Sequence, residues 1–360
     1  MSVEVQDIFV AHFDEYRAEH KLTLVQWKAA RSIIHCRTAA LGAHVDVCGH
    51  CGYRRISYNS CRNRHCPKCQ TFAKEQWIAK QKENLLDIHY FHVVFTVPAQ
   101  LNPSFLHDQR TMYDLLFKAA SETVLELCAD RKFLGATPGI TAVLHTWGQN
   151  LQFHPHIHMI VTGGGLAKDG KWHKSKKKFF LPVRVLTSKF RGKFMALFRQ
   201  KFPDADQELL NICYRKKWVV YCKPPFGSAE KVVSYLGRYT HRVAISNNRI
   251  LSLKDGRVTF LWRDYAHGNR VKPMTIPATE FIRRFLLHIL PGGFRKIRHY
   301  GLAAARGKTG RLALCRRLTN TTPPQRFTAV DSLRKMLGPD FNLCPCCKTG
   351  HLSREPPCFS

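Results

Sequence analysis

Acidic side chains are scarce in this sequence. Only 25 Asp and Glu stand against 57 Lys and Arg, a formal charge of +32. Such a field destabilises the compact state by self-repulsion and calls for a polyanion to neutralise it. Long apolar runs are missing as well: no stretch approaches the ~18 consecutive apolar residues that a membrane span requires. No long basic amphipathic helix marks a membrane-surface binder. The opening MSVEVQDIFV has early acids and no continuous apolar segment, so no secretory leader is expected and the chain is read as cytoplasmic. Internal repeats and low-complexity tracts are absent too. An apolar fraction of 44% with 11% aromatics excludes general disorder. Length is not lacking: 360 residues exceed one compact domain and predict at least two. The charge is spread among well-patterned strands and helices, which points to a folded nucleic-acid protein.

Cysteine is plentiful, with 14 residues, and in a cytoplasmic chain these are metal ligands and core thiols before they are disulfides. Cys48-x2-Cys51 and Cys66-x2-Cys69 are separated by 14 residues. Each pair presents two thiolates from one tight turn, and two pairs complete a tetrahedron, so Cys48, Cys51, Cys66 and Cys69 are expected to hold one structural zinc. Two redox pairs would want a βαβ context that the segment lacks. Cys36, His44, Cys61 and His65 share the stretch and allow a second, interleaved ion. Cys344-x2-Cys347 forms a further knuckle, with His351 and Cys358 in reach to close a small site or else a plain tail.

Around these knuckles the pattern is mixed. Residues 5–35 have helical spacing, as do Phe72–Leu86, Phe190–Phe202 and Thr279–Leu290. Strand-like runs occur at Phe91–Val97, Ile140–His145, His156–Thr162 and Trp218–Cys222. Arg249–Leu253 and Val258–Trp262 form a hairpin closed at Asp255-Gly256. Short strands interleaved with helices predict an α+β fold built on an antiparallel sheet. Gly163-Gly164-Gly165 follows a strand without a phosphate-binding lysine beside it and reads as a turn. Gly307-Lys308-Thr309 is no P-loop, because Gly301 lies one residue too far upstream.

Two constellations carry chemistry. His156 and His158 flank one residue on a strand and share a face. Antiparallel pairing of Ile140–His145 with His156–Thr162, through a loop near Leu151, brings His145 beside them as a third imidazole of an open metal site. Against this, one or two of the histidines are satisfied core residues. In SYLGRYTHR, Tyr235 and Tyr239 are four apart, which stacks both phenols on one helical face with Arg238, His241 and Arg242 close by. Alone such a pair is core packing; beside a histidine site and a strong positive field it reads as paired nucleophiles.

CRNRHCPKCQ, HPHIH and YLGRYTHR together resemble the rolling-circle transposases of insertion-sequence family ninety-one, and FIRRFLLHILPGGFRKIRHYGL is similar as well. The resemblance runs in matching order from about residue 5 to 320. It implies an N-terminal helical and zinc-knuckle module (1–90) and an antiparallel-sheet HUH endonuclease domain with helices (91–325); residues 326–360 read as a C-terminal tail with its knuckle. It further implies His156 and His158, with His145, as ligands of a catalytic divalent ion, Mg²⁺ or Mn²⁺, and Tyr235 and Tyr239 as nucleophiles. Cleavage of single-stranded DNA through a 5′-phosphotyrosine in a bacterial, DNA-associated protein follows from the same likeness. Arg238, Arg242, Arg295 and Arg298, with the lysine run 174–178, are the expected DNA contacts. Rival readings are an HUH relaxase or replication initiator, a histidine-triad nucleotide hydrolase suggested by HPHIHMI, and a non-catalytic zinc-containing DNA-binding protein. Covalent attachment to a cut strand separates the enzyme from the last of these.

Overall fold

In a computed structural model the structure describes residues 3–176, 180–223, 231, 233, 237, 244–265, 267–323 and 328–355. These fall into two compact units. One comprises residues 80–240 and 290–325, the other residues 1–79, 241–289 and 326–360.

The first unit is built on an antiparallel sheet. Its strands are β1 (Tyr90–Thr96), β2 (Thr137–Trp147), β3 (Phe153–Leu166), β4 (Trp172–Lys174), β5 (Val219–Lys223) and β6 (Ile297–Gly301), and the order is β6-β2-β3-β1-β5 with β4 on the end of β3. Strand alternation sorts the two faces. Phe91, Val93 and Phe95 of β1, Ile140, Ala142 and Leu144 of β2, and Ile157, Met159 and Val161 of β3 all enter one core. That core is completed by helices α1 (Gln109–Ala129) and α2 (Val183–Lys201) through Tyr113, Leu116 and Phe117 and through Phe190, Phe194 and Phe198. Two apolar layers therefore bury one sheet face, and the alternate residues of the same strands carry the imidazoles on the other.

Two details set the register. The β2–β3 hairpin closes over residues 148–152, where the Gly148 amide donates to the Gln152 carbonyl at 2.9 Å and Leu151, fully buried, adopts φ +65°. The sequence Gly163-Gly164-Gly165 is not a turn, as read from composition; it lies inside β3. A Cβ on Gly163 would stand 2.3 Å from the His89 ring, and one on Gly164 2.7 Å from the His173 carbonyl. Glycine is needed there for close packing, not for reversal.

The second unit has two small sheets. Ala43–Cys48 is the middle strand between Arg54–Tyr58 and the C-terminal Leu352–Arg354, with Cys48 opposite Leu352. The other sheet is a meander of Ile250–Lys254, Arg257–Asp264 and Arg270–Pro277. Its first turn is the expected Asp255-Gly256, with φ +48° and +68°, the left-handed pair of a type I′ hairpin. Helix Val5–Glu19 packs Phe9 edge-on against Phe285 of helix Ala278–Leu286 at 5.3 Å. Helix Leu24–Ile34 begins with a Thr23–Gln26 capping box. The whole is the α+β arrangement anticipated from the strand and helix pattern. No helix among the described residues is long and apolar enough to cross a membrane.

Candidate functional site

β2 and β3 pair so that His145 stands directly opposite His156, with His158 two residues on and facing Val143. The ligand-capable nitrogens of His145, His156 and His158 all lie within 4.8 Å of one another. The rings meet at centroid separations of 5.2 Å for His145–His156, 4.3 Å for His145–His158 and 4.8 Å for His156–His158. The sheet thus gathers the three imidazoles the sequence pointed to. His145 and His158 are buried and His156 partly so.

Their surroundings fix ring orientation. The His154 carbonyl lies 2.7 Å from Nδ1 of His156. A carbonyl only accepts, so Nδ1 carries the proton and Nε2 keeps its lone pair. His92, on β1, places Nε2 at 2.8 Å from Nδ1 of His158. Trp147 stacks on His145 at 4.8 Å and 16°. Burial first, then neighbouring imidazoles, pushes the His156 pKa down to about 3, and the same causes press His158 well below the ordinary range. Both rings are neutral at pH 7, the form that ligates a metal. A ring donating its second N–H to a carbonyl and another bonded to a further histidine is the outer support that metal-binding histidines require.

Strand β6 flanks this centre. The Lys296 carbonyl accepts from the Leu144 amide at 2.9 Å, and the Lys296 ammonium sits 5.9 Å from the Trp147 ring centroid. Arg298 is held by an ion pair with Asp114 and lies 4.2 Å over the Phe117 ring. The exposed Arg295 gives its carbonyl to the Arg298 Nε at 3.2 Å. Tyr235 and Tyr239, with Arg238, His241 and Arg242, lie outside the described residues, as do Lys177, Lys178 and Cys358.

The cysteines assemble differently from the single site read off their spacing. Cys66 and Cys69 join Cys36 and Cys61, while Cys48 and Cys51 join Cys344 and Cys347. The Arg54–Tyr58 strand occupies the gap between the two CxxC pairs and pairs back on Ala43–Cys48, which draws the first pair away from the second. In the first tetrad Cys69 Sγ is 3.6 Å from Cys36 Sγ and 3.5 Å from Cys61 Sγ. A disulfide would need about 2.05 Å; a zinc tetrahedron with Zn–S of about 2.3 Å has edges of about 3.8 Å. The thiol group fits the ion. Hydrogen bonds from Cys61 and Cys66 lower the Cys69 thiol pKa and raise those of the two donors, so the four sulfurs share charge as a group. His44 and His65 are not in either group; His44 Nδ1 bonds the Asn59 amide oxygen at 3.0 Å and His65 Nδ1 the Asn63 oxygen at 3.2 Å.

His92 was not anticipated. Nothing in YFHVVFT marks it, since its meeting with His158 depends on the β1–β3 register.

Residues 8–97 match the family described as "Transposase zinc-binding domain", and residues 139–310 match the family described as "Putative transposase". The chain is 44% identical to "Putative transposase y4qJ" of Sinorhizobium fredii, over 97% of this chain and 94% of that protein. It is 29% identical to the transposase for insertion sequence element IS801 of Pseudomonas savastanoi pv. phaseolicola, over 78% of this chain and 71% of that protein. No solved structure matches it.

Proposed function

The chain belongs to the transposases of insertion-sequence family ninety-one, with a zinc-binding domain and DNA as its partner, and from that premise we propose that it cuts and rejoins single DNA strands at a His145–His156–His158 metal centre. The observation that carries the proposal is the convergence of three imidazoles within 4.8 Å on one sheet face. His145, His156 and His158 would hold a divalent cation, whose charge would polarise the scissile phosphate and offset the charge that develops there. Nitrogen donors suit Mn²⁺ better than Mg²⁺, which prefers oxygen.

The nucleophiles in this reading are Tyr235 and Tyr239. A phenolic oxygen sheds its proton and attacks phosphorus, the bond to the 3′ oxygen breaks, and that oxygen takes up a proton in turn and leaves as a 3′-hydroxyl. The strand is left joined to tyrosine through its 5′ phosphate, and one phosphoester replaces another, so the step can be reversed onto a second strand. Two nucleophiles let one cut end be held while another junction is made. Lys296, just before β6 and with its ammonium over the Trp147 ring that stacks on His145, supplies positive charge for the backbone phosphates. A cytoplasmic, DNA-associated location goes with this role.

Incubation with single-stranded DNA from the element's own ends, with Mn²⁺, with Mg²⁺ and after chelation, tests the proposal. Strand cleavage that disappears on chelation and returns with a divalent ion is expected. Cleavage indifferent to metal removal, or equal cutting of intact duplex, would count against it.

A further inference from the structure

We infer that Cys48, Cys51, Cys344 and Cys347 bind a second structural zinc, which clasps the C-terminal segment onto the N-terminal hairpin. Cys48 Sγ lies 3.7 Å from Cys347 Sγ, and Cys51 Sγ 3.6 Å from Cys344 Sγ. These edges match the about 3.8 Å of a tetrahedral zinc–thiolate site and are far from the about 2.05 Å of a disulfide.

The two halves are built alike. The Gly52 amide donates to the Cys48 carbonyl at 3.1 Å, and the Lys348 amide to the Cys344 carbonyl at 3.0 Å. The residue after each second cysteine is left-handed, Gly52 at φ +70° and Lys348 at +56°. Each knuckle also aims an amide at a sulfur: His50 N–H to Cys48 at 3.4 Å and Gly350 N–H to Cys347 at 3.3 Å. Such bonds stabilise thiolate over thiol.

Everything around the tetrad brings the segments together. Leu352 pairs with Cys48 across the strands and packs on Cys48 and Cys344, with Cys347 alongside. Gly350 approaches so closely that a Cβ there would stand 2.5 Å from Cys48 Sγ. Cys344 is fully buried, whereas Cys346, between the two ligands, is exposed and outside the tetrad. A sheet of three strands this short, mostly exposed or half-buried, has little core of its own, and an ion joining positions 293 residues apart closes it. The zinc module therefore needs the far end of the chain, and not the N-terminal segment alone.

The full chain, purified with zinc, is analysed for metal content and for thiol alkylation residue by residue. Two thiolate-bound zinc ions per chain are expected, besides any ion at the histidine centre, with Cys48, Cys51, Cys344 and Cys347 protected until a chelator is added and Cys346 labelled quickly throughout. Cys344→Ser with Cys347→Ser should hold one zinc fewer than the wild type, with Cys48 and Cys51 as reactive as Cys346 and with Cys36, Cys61, Cys66 and Cys69 still protected. Gly350→Ala, which keeps all four thiols, should speed labelling of the same tetrad. The inference is overturned if Cys344 and Cys347 in the zinc-loaded wild-type chain react at the rate of Cys346, or if the double variant keeps as many zinc ions as the wild type. The wild-type labelling decides the matter even if a variant fails to fold.

Discussion

His92 Nε2 and His158 Nδ1 lie 2.8 Å apart, with the two rings 5.1 Å centre to centre and 5° from parallel. If His158 gives its Nε2 lone pair to a metal, its Nδ1 must carry the proton and donate it to His92. His92 then orients the ligand without touching the ion. Replacing His92 by Ala should weaken divalent-metal binding by about 10–100-fold, the usual effect of losing such a partner. Titration with Mn²⁺ reads this directly, and Gln at position 92, which retains an acceptor, should recover part of the affinity. Unchanged affinity in His92→Ala would remove it from the site.

The ligands themselves should separate binding from chemistry. His156→Ala and His158→Ala are expected to abolish strand cleavage while leaving affinity for DNA nearly intact, since groups acting on the transition state contribute little to anchoring. Parallel cleavage and gel-shift assays check this. Loss of soluble protein in both variants would make the imidazoles core residues.

Acid should affect the metal-free centre in a defined direction. His156 has a folded pKa near 3 because of burial, below the unfolded value of about 6.5. The unfolded chain therefore takes up the proton first. Its contribution to stability is complete above about pH 6.5 and is lost as pH falls towards 3. Between pH 7 and 5 the loss should be about 1–2 kcal/mol. Urea unfolding of protein with its thiolate zinc retained and its histidine centre free of metal should show that loss, and His156→Gln should show less of it. Equal pH dependence in the two proteins would contradict the burial argument.

Strand β3 offers a packing test away from the chemistry. Gly164→Ala places a methyl within 2.7 Å of the His173 carbonyl and the Trp172 indole. Overpacking of this kind costs about 1–3 kcal/mol, so the thermal midpoint should fall. An unaltered midpoint would mean that β4 can yield without cost.

How far the sequence reveals these features depends on the range of the contact. The His-x-His face follows from strand parity, and its meeting with His145 needs only a hairpin, so both are readable locally. The cysteine knuckles are equally local. Their partners are not: Cys48 and Cys51 meet Cys344 and Cys347 because the last strand pairs with Ala43–Cys48, a contact that no spacing encodes. His92 is hidden for the same reason. The helix Gln109–Ala129 also escapes the hydrophobic pattern, since its buried residues, from Met112 to Cys128, spread over a broad arc with Ser121 and Thr123 among them, not along a narrow stripe. The glycine triplet looks like a turn because composition cannot distinguish reversal from close approach.

Charge should govern encounter with DNA. With a formal +32 on the chain, affinity for single-stranded DNA should fall steeply as salt rises, through counterion release. Fluorescence anisotropy over a salt series gives the slope, and a flat dependence would contradict an electrostatic grip on the phosphates.

The most direct test of the whole account is to trap the covalent complex with single-stranded DNA and map the modified peptide. The account predicts DNA attached to Tyr235 or Tyr239, no adduct in the Tyr235→Phe, Tyr239→Phe double variant, and impaired transfer in each single variant. Attachment at any other residue, or an undiminished adduct in the double variant, would contradict it.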